Sequence, residues 1–135
     1  VLDIGCGTGV LLDFLQPRQY VGIDPSQGML DQLLRKHPDI NGAVKCSTLG
    51  TYLAFAPEPV DLAVALFGVA SYLSEDEVRS LPGTASRVFA MFYAPGYDPG
   101  VYRRTGVRPR VDYTPHELLA GNRTRISNYV VVDTG

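Results

Sequence analysis

The chain has no tryptophan, and only two cysteines, two histidines and two methionines in 135 residues. Two cysteines are too few for a disulfide framework, so stability must come from a packed core, and a reducing, cytoplasmic setting is expected. Two isolated histidines with no carboxylate cluster beside them in sequence give no metal site. Long hydrophobic runs are missing as well. The most apolar stretch, residues 62–70, is about half the length of a bilayer span, so no membrane partner is expected. A secretory signal is not visible, since Asp3 falls where a basic region would be needed. Neither sign of charge dominates, the net value being −2, but the distribution is uneven. Residues 1–100 carry six Lys/Arg against eleven Asp/Glu, whereas residues 101–135 carry six against three. Such an asymmetry marks either a site for an anionic partner or, more commonly, a solvated surface.

What is present is ordinary for a globular protein: 45% hydrophobic and 19% charged residues, in a length suited to one domain spanning residues 1–135. Short apolar runs alternate with helical stretches, the pattern of βαβ units, which predicts an α/β fold with a doubly wound, mostly parallel sheet. Strands are expected near residues 1–4, 20–23, 43–46, 60–67 and 87–93, with one closing strand near 126–132. Residues 60–67 are almost continuously apolar, as in a central strand covered on both faces. Helices are expected at 10–15, after Ser26 as N-cap, weakly at 48–55, and from Ser74, whose following Glu75, Asp76 and Glu77 suit a helix amino terminus. Thr114, Pro115 and Glu117 predict a last helix opened by a capping box.

The most informative stretch is Val1-Leu2-Asp3-Ile4-Gly5-Cys6-Gly7-Thr8-Gly9. A strand ending in Gly-x-Gly-x-Gly brings backbone close to a ligand, because side chains at those positions would obstruct it or forbid the turn. Asp24, at the end of the second strand and fifteen residues past Gly9, is placed to accept both hydroxyls of a ribose. The spacing differs from the dinucleotide fingerprint, where Val10 would be glycine, and this disfavours a nicotinamide-dependent oxidoreductase. Cys6 between glycines reads as a small turn residue and not a nucleophile. Cys46 is expected in the core. With strand order 3-2-1-4-5 the two cysteines lie about 9.6 Å apart across two strand spacings, beyond the roughly 7 Å disulfide limit.

Asp3-Ile4-Gly5-Cys6-Gly7-Thr8-Gly9, then Val21-Gly22-Ile23-Asp24-Pro25-Ser26-Gln27-Gly28-Met29-Leu30, then Val60-Asp61-Leu62-Ala63-Val64 resemble the first, second and fourth motifs of class I S-adenosylmethionine-dependent methyltransferases. The resemblance implies a Rossmann-like methyltransferase fold with S-adenosylmethionine as cofactor. It implies that Gly5, Cys6, Gly7 and Gly9 pass under the methionine part, with Asp3 as the acid that begins the turn. Asp24 would bind the ribose, with Pro25, Ser26 and Met29 near the adenine and the backbone of Leu66 and Phe67 beneath the methyl group. The family usually has an acid after the third strand, where this chain has Ser47 and Thr48, whose hydroxyls or carbonyls would substitute. By the same resemblance, the helices that usually precede the first strand, and one of two usual strands after the fifth, are expected to be missing from these residues.

Methyl transfer from a sulfonium needs position and orientation more than acid–base help. The expected function is therefore methyl transfer to oxygen or nitrogen of a small-molecule acceptor, with a non-catalytic S-adenosylmethionine-binding module as the alternative. The Asn/Asp-Pro-Pro-Tyr tetrad of base amino-methylases is replaced by Leu66-Phe67-Gly68-Val69, so a nucleic acid acceptor is disfavoured. His116 and Tyr72 are candidates for a catalytic or pocket-shaping role, while His37 reads as structural. Tyr93, Tyr97, Tyr102 and Tyr113 with Arg103, Arg104, Arg108 and Arg110 suit an anionic or aromatic acceptor, or else a solvated flap.

Overall fold

A computed structural model describes residues 1–100, 109 and 115–135. The apolar runs form strands β1 (Leu2–Ile4), β2 (Val21–Asp24), β3 (Val44–Cys46), β4 (Val60–Ala65) and β5 (Ala85–Tyr93), followed by β6 (Asn122–Ile126) and β7 (Tyr129–Asp133). They build one seven-stranded sheet in the order β3-β2-β1-β4-β5-β7-β6. The first five strands are mutually parallel, and β7 runs antiparallel to both β5 and β6. This is the expected Rossmann-like α/β sheet, doubly wound about β1. Helices α1 (Val10–Phe14), α2 (Gln27–Lys36), α3 (Leu49–Ala54) and α4 (Glu75–Thr84) connect the parallel strands. Among the described residues no helix is long and apolar enough to cross a membrane.

Along β4, Ala63 and Ala65 enter one apolar cluster with Leu2, Ile4, Val88 and Phe92, while Val64 enters another with Leu11 and Tyr20. Successive residues of a strand face opposite sides, so the carboxyl half of β4 is covered twice, as its composition predicts. Helix α2 begins where Ser26 Oγ accepts from Met29 N, and it buries Leu30 and Leu33. Burying each such leucine contributes about 1.5–3 kcal/mol. At the far end of α2, Lys36 and His37 both bond to Asp13 of α1, which gives His37 the structural place read from sequence. Helix α4 opens with a complete capping box: Ser74 Oγ accepts from Glu77 N, and Glu77 Oε1 accepts from Ser74 N.

Three expectations are corrected. Two strands follow β5, not one. Asn122–Ile126 is exposed along its whole length and carries Arg123 and Arg125, so it has no apolar alternation to betray it. Charged side chains are how an edge strand avoids further pairing. The connection to β7 is the two-residue turn Ser127-Asn128, with Ser127 at φ 53, a positive angle that two-residue hairpins demand. The last helix, expected from Thr114, Pro115 and Glu117, is only the single 3-10 turn Pro115–Leu118, and Thr114 lies outside the described residues. Arg123 Nη2 donates to the carbonyls of His116 and Leu119, both at 2.8 Å, and so caps the end of the turn. Cys46 is exposed because β3 is the opposite edge strand, and its thiol donates to Pro25 O at 3.4 Å.

Candidate functional site

The glycine turn leaves β1 at the carboxyl end of the sheet, where open α/β sheets bind ligands. Gly5, Gly7 and Gly9 all have positive φ, at 64°, 54° and 88°, so the turn needs glycine for its backbone alone. Space differs along it. A Cβ at Gly5 would lie 2.5 Å from Val69 Cγ1, whereas one at Gly7 would meet nothing closer than Met29 Cε at 3.8 Å. Protein therefore packs on Gly5 and leaves Gly7 open to a ligand.

Asp24 ends β2 and ties this turn to α2. Its Oδ2 accepts from Gly7 N at 3.0 Å and its Oδ1 from Ser26 N at 2.8 Å. A carboxylate has about four acceptor positions, so both oxygens keep capacity for two further donors such as vicinal hydroxyls. A small cleft of about 120 Å³ lies beside it, walled by Gly5, Pro25, Ser47, Thr48, Val69 and Tyr72. Sites for small ligands usually hold roughly 300–1,000 Å³, so this cleft alone is too small for one, and the open surface over Gly7 adjoins it. Met29, 42% exposed, borders that surface. A larger hollow of about 820 Å³ sits among Val1, Gln19, Val21, Val60 and Asp61, at the amino ends of the strands and away from the turn.

Ser47 and Thr48 stand in the cleft wall with their hydroxyl protons engaged. Ser47 Oγ donates to Thr48 O, Thr48 Oγ1 donates to Thr51 Oγ1, and Thr48 also caps α3. What they offer a ligand amine is oxygen lone pairs. Glu77 completes the wall and was not singled out for it in the sequence. Both of its oxygens are engaged, by Ser74 N and Gly50 N, and the Ser74-x-x-Glu77 spacing was the available signal.

Asp3 is placed beneath the turn and not in the cleft. It is 3% exposed, and its Oδ2 accepts from the Tyr20 hydroxyl at 2.8 Å, a partner that sequence reasoning missed. Burial, reinforced by the nearby Asp24 charge against the Tyr20 hydrogen bond, raises the Asp3 carboxyl to about 6. Burial together with the charges of Asp3 and Asp24 pushes the Cys6 thiol up to about 12, which makes it a poor nucleophile at neutral pH. Because the folded carboxyl titrates above its unfolded value of 3.8, Asp3 favours the fold fully below about pH 4, and this contribution is lost as pH rises through 6. Asp3→Asn should therefore stabilise the protein by up to about 3 kcal/mol at pH 7.5 and by almost nothing at pH 4. Urea unfolding of both proteins at the two pH values checks this, and an equal gain at both would contradict it.

On the other side of the turn, Leu66, Phe67 and Gly68 follow β4. Phe67 has φ 50 and is 53% exposed, and its N–H donates to Met91 Sδ at 3.5 Å. Gly68 lies against the Tyr93 ring, and a Cβ there would fall 2.3 Å from Cζ. Tyr72 packs edge-on to Tyr93, with ring centres 6.1 Å apart, so it joins the cleft to an aromatic group at the end of β5. His116 is elsewhere: its ring is edge-on to Phe92, and its pKa is lowered by burial and by Arg123. Its Nδ1 is buried with no hydrogen-bond partner. Of the Arg/Tyr segment only Tyr93 and Tyr97 are described; Tyr102, Arg103, Arg104, Arg108, Arg110 and Tyr113 lie outside the described residues. No group of three or more His, Cys, Asp or Glu that could hold a metal ion occurs among the described residues.

A family model described as a methyltransferase domain matches residues 1–90, which hold the glycine turn, Asp24 and the whole of β4. The chain belongs to this methyltransferase domain family. It is 33% identical over 94 residues to an 18S rRNA (guanine-N(7))-methyltransferase of Bos taurus and 30% identical over 94 residues to its counterpart from Mus musculus. Each match covers 68% of this chain and 32% of the relative, so the chain spans about a third of the length of the curated proteins it matches. In fold it is similar to the magnesium protoporphyrin IX methyltransferase of Synechocystis, solved with S-adenosylmethionine bound. The TM-score is 0.62 at 14% identity, covering 98% of this chain and 67% of that one.

The rRNA methyltransferases correct the expectation that a nucleic acid acceptor is disfavoured. That argument rested on the missing Asn/Asp-Pro-Pro-Tyr tetrad, which serves exocyclic amino groups. The guanine N7 in the relatives' names is a ring nitrogen whose lone pair already points outward as an acceptor. It has no proton to lose, so no such tetrad is required.

Proposed function

We propose that this methyltransferase domain binds S-adenosylmethionine over the Gly5–Gly9 turn and Asp24 and directs its methyl group to a ring nitrogen of a base in RNA. The observation that carries the reading is the pairing of Asp24 with Gly7 N, which unites the acid and the open glycine at one ligand-facing edge. The RNA acceptor replaces the small molecule expected from sequence, and it rests on the two curated relatives.

The residues suit the cofactor. Asp24 has acceptor capacity left for a ribose diol, and Gly7 offers an uncovered backbone. Pro25, Ser47 and Thr48 wall a recess with lone pairs for an adenine amine, while Ser26 and Met29 stand at the start of α2 beside Asp24 and Gly7. When bound, the sulfonium supplies a methyl group already activated for in-line displacement. The chain's task is then to orient donor and acceptor and to exclude water. Leu66 and Phe67 form the floor at the end of β4. Neither His116 nor Tyr72 is needed as a base for a ring nitrogen, and Tyr72 serves as a wall. Unpaired Cys6 and Cys46 support a reducing, cytoplasmic location.

Incubating the full chain with S-adenosylmethionine tritiated in the methyl group and a guanosine-containing RNA tests this reading. Label is expected in the RNA and, after nucleoside digestion, in a base-methylated nucleoside. Label confined to ribose, or none with a sample that binds S-adenosylhomocysteine, would overturn the acceptor assignment.

A further inference from the structure

We propose that the Phe67 ring is the stacking surface for the acceptor base, braced edge-on by Tyr129. This rests on the methyl-transfer reading above and adds the residues that select a planar acceptor.

Three observations converge. Phe67 is a large residue in the left-handed region, at φ 50, where bulky side chains are outliers, and such outliers concentrate at functional sites. The strained backbone holds the ring out at the carboxyl end of β4, 53% exposed, next to the place where the methyl group would be presented. Phe14 and Phe55 are more exposed still, but neither has left-handed backbone or an aromatic ring contact among the described residues.

The ring has a foundation. Tyr129 lies edge-on to Phe67, with centres 6.3 Å apart, and is itself stacked on Tyr93 at 5.7 Å and 24°. Tyr93 is buried and is packed in turn by Tyr72, Tyr97 and the backbone of Gly68. The hairpin explains why these rings meet. Register pairs Tyr93 with Tyr129 across β5 and β7, so the tip of the β6–β7 hairpin stands at the same ligand-facing edge. The exposed face of the Phe67 ring, braced by Tyr129 at 67° to it, suits a flat heterocycle and tolerates any base because every base has a π-face.

The test is binding of a fluorescein-labelled, single-stranded, guanosine-containing RNA to the full chain by anisotropy, with S-adenosylhomocysteine affinity measured on the same samples. Phe67→Asn keeps a residue that tolerates left-handed backbone while removing the ring. It is expected to weaken RNA binding at least tenfold, the scale of one lost base–aromatic stack, and cofactor affinity by a smaller factor. Phe67→Tyr should stay within about threefold of the parent, since it restores the stack. If the parent binds S-adenosylhomocysteine but Phe67→Asn binds RNA as well as Phe67→Tyr does, or the parent binds no RNA, the stacking surface is wrong and the cofactor reading stands. If the parent binds no S-adenosylhomocysteine, both fall.

Discussion

Asp24→Ala is expected to weaken S-adenosylhomocysteine binding at least a hundredfold and to lower the melting temperature at the same time. The two effects come from the two uses of one carboxylate. Toward the ligand it would lose charge-assisted bonds to two ribose hydroxyls, each contributing about 1.5–3 kcal/mol. Toward the protein it would free Gly7 N and Ser26 N, which it now holds at 3.0 and 2.8 Å. Leaving those donors without a partner costs about 1–3 kcal/mol wherever water cannot replace the oxygen. Asp24→Asn keeps one acceptor oxygen and should fall between the two proteins on both scales. Calorimetry with thermal melting separates the roles. A lower melting temperature with unchanged ligand affinity would make Asp24 a structural clamp only.

Gly68→Ala is expected to cost the fold about 3 kcal/mol or more, although it adds one methyl group. Gly68 has φ 84, where any side chain pays roughly 1–2 kcal/mol. Its Cβ would also fall 2.3 Å from Tyr93 Cζ, and the Tyr93 ring cannot retreat because Tyr129, Tyr72 and Tyr97 pack around it. Overpacking of this kind costs about 1–3 kcal/mol. The natural control is Gly83→Ala in α4, where φ is not positive and no atom lies within 4 Å of the added carbon. That change should be neutral or stabilising by up to about 1 kcal/mol. Chemical denaturation of the pair checks the contrast, and equal stabilities would mean that the loop after β4 does not rest on Tyr93.

Features confined to one stretch of chain were legible in the sequence. The glycine turn, Asp24 after β2 and the Ser26 cap depend on neighbours within a few residues, and the parallel order follows from alternating elements. The antiparallel end was not legible to the same degree. β6 is a charged edge strand with no apolar period, and the turn at Pro115–Leu118 is ended by Arg123, which belongs to the following strand. Pairings across the sheet were hidden for a related reason. Nothing local to Asp3 announces Tyr20, nothing local to Gly5 announces Val69, and Phe67 meets Tyr129 only through the register of three strands. The expectation against a nucleic acid acceptor failed at a chemical step: a tetrad needed for amino groups was treated as needed for any base nitrogen.

The central claim is that the turn and Asp24 make a nucleoside-binding edge for S-adenosylmethionine, and titration calorimetry of the full chain with S-adenosylhomocysteine tests it most directly. The account predicts saturable binding at one site per chain that Asp24→Ala removes. A folded sample that gives no heat at millimolar ligand, or an affinity indifferent to Asp24, would contradict it.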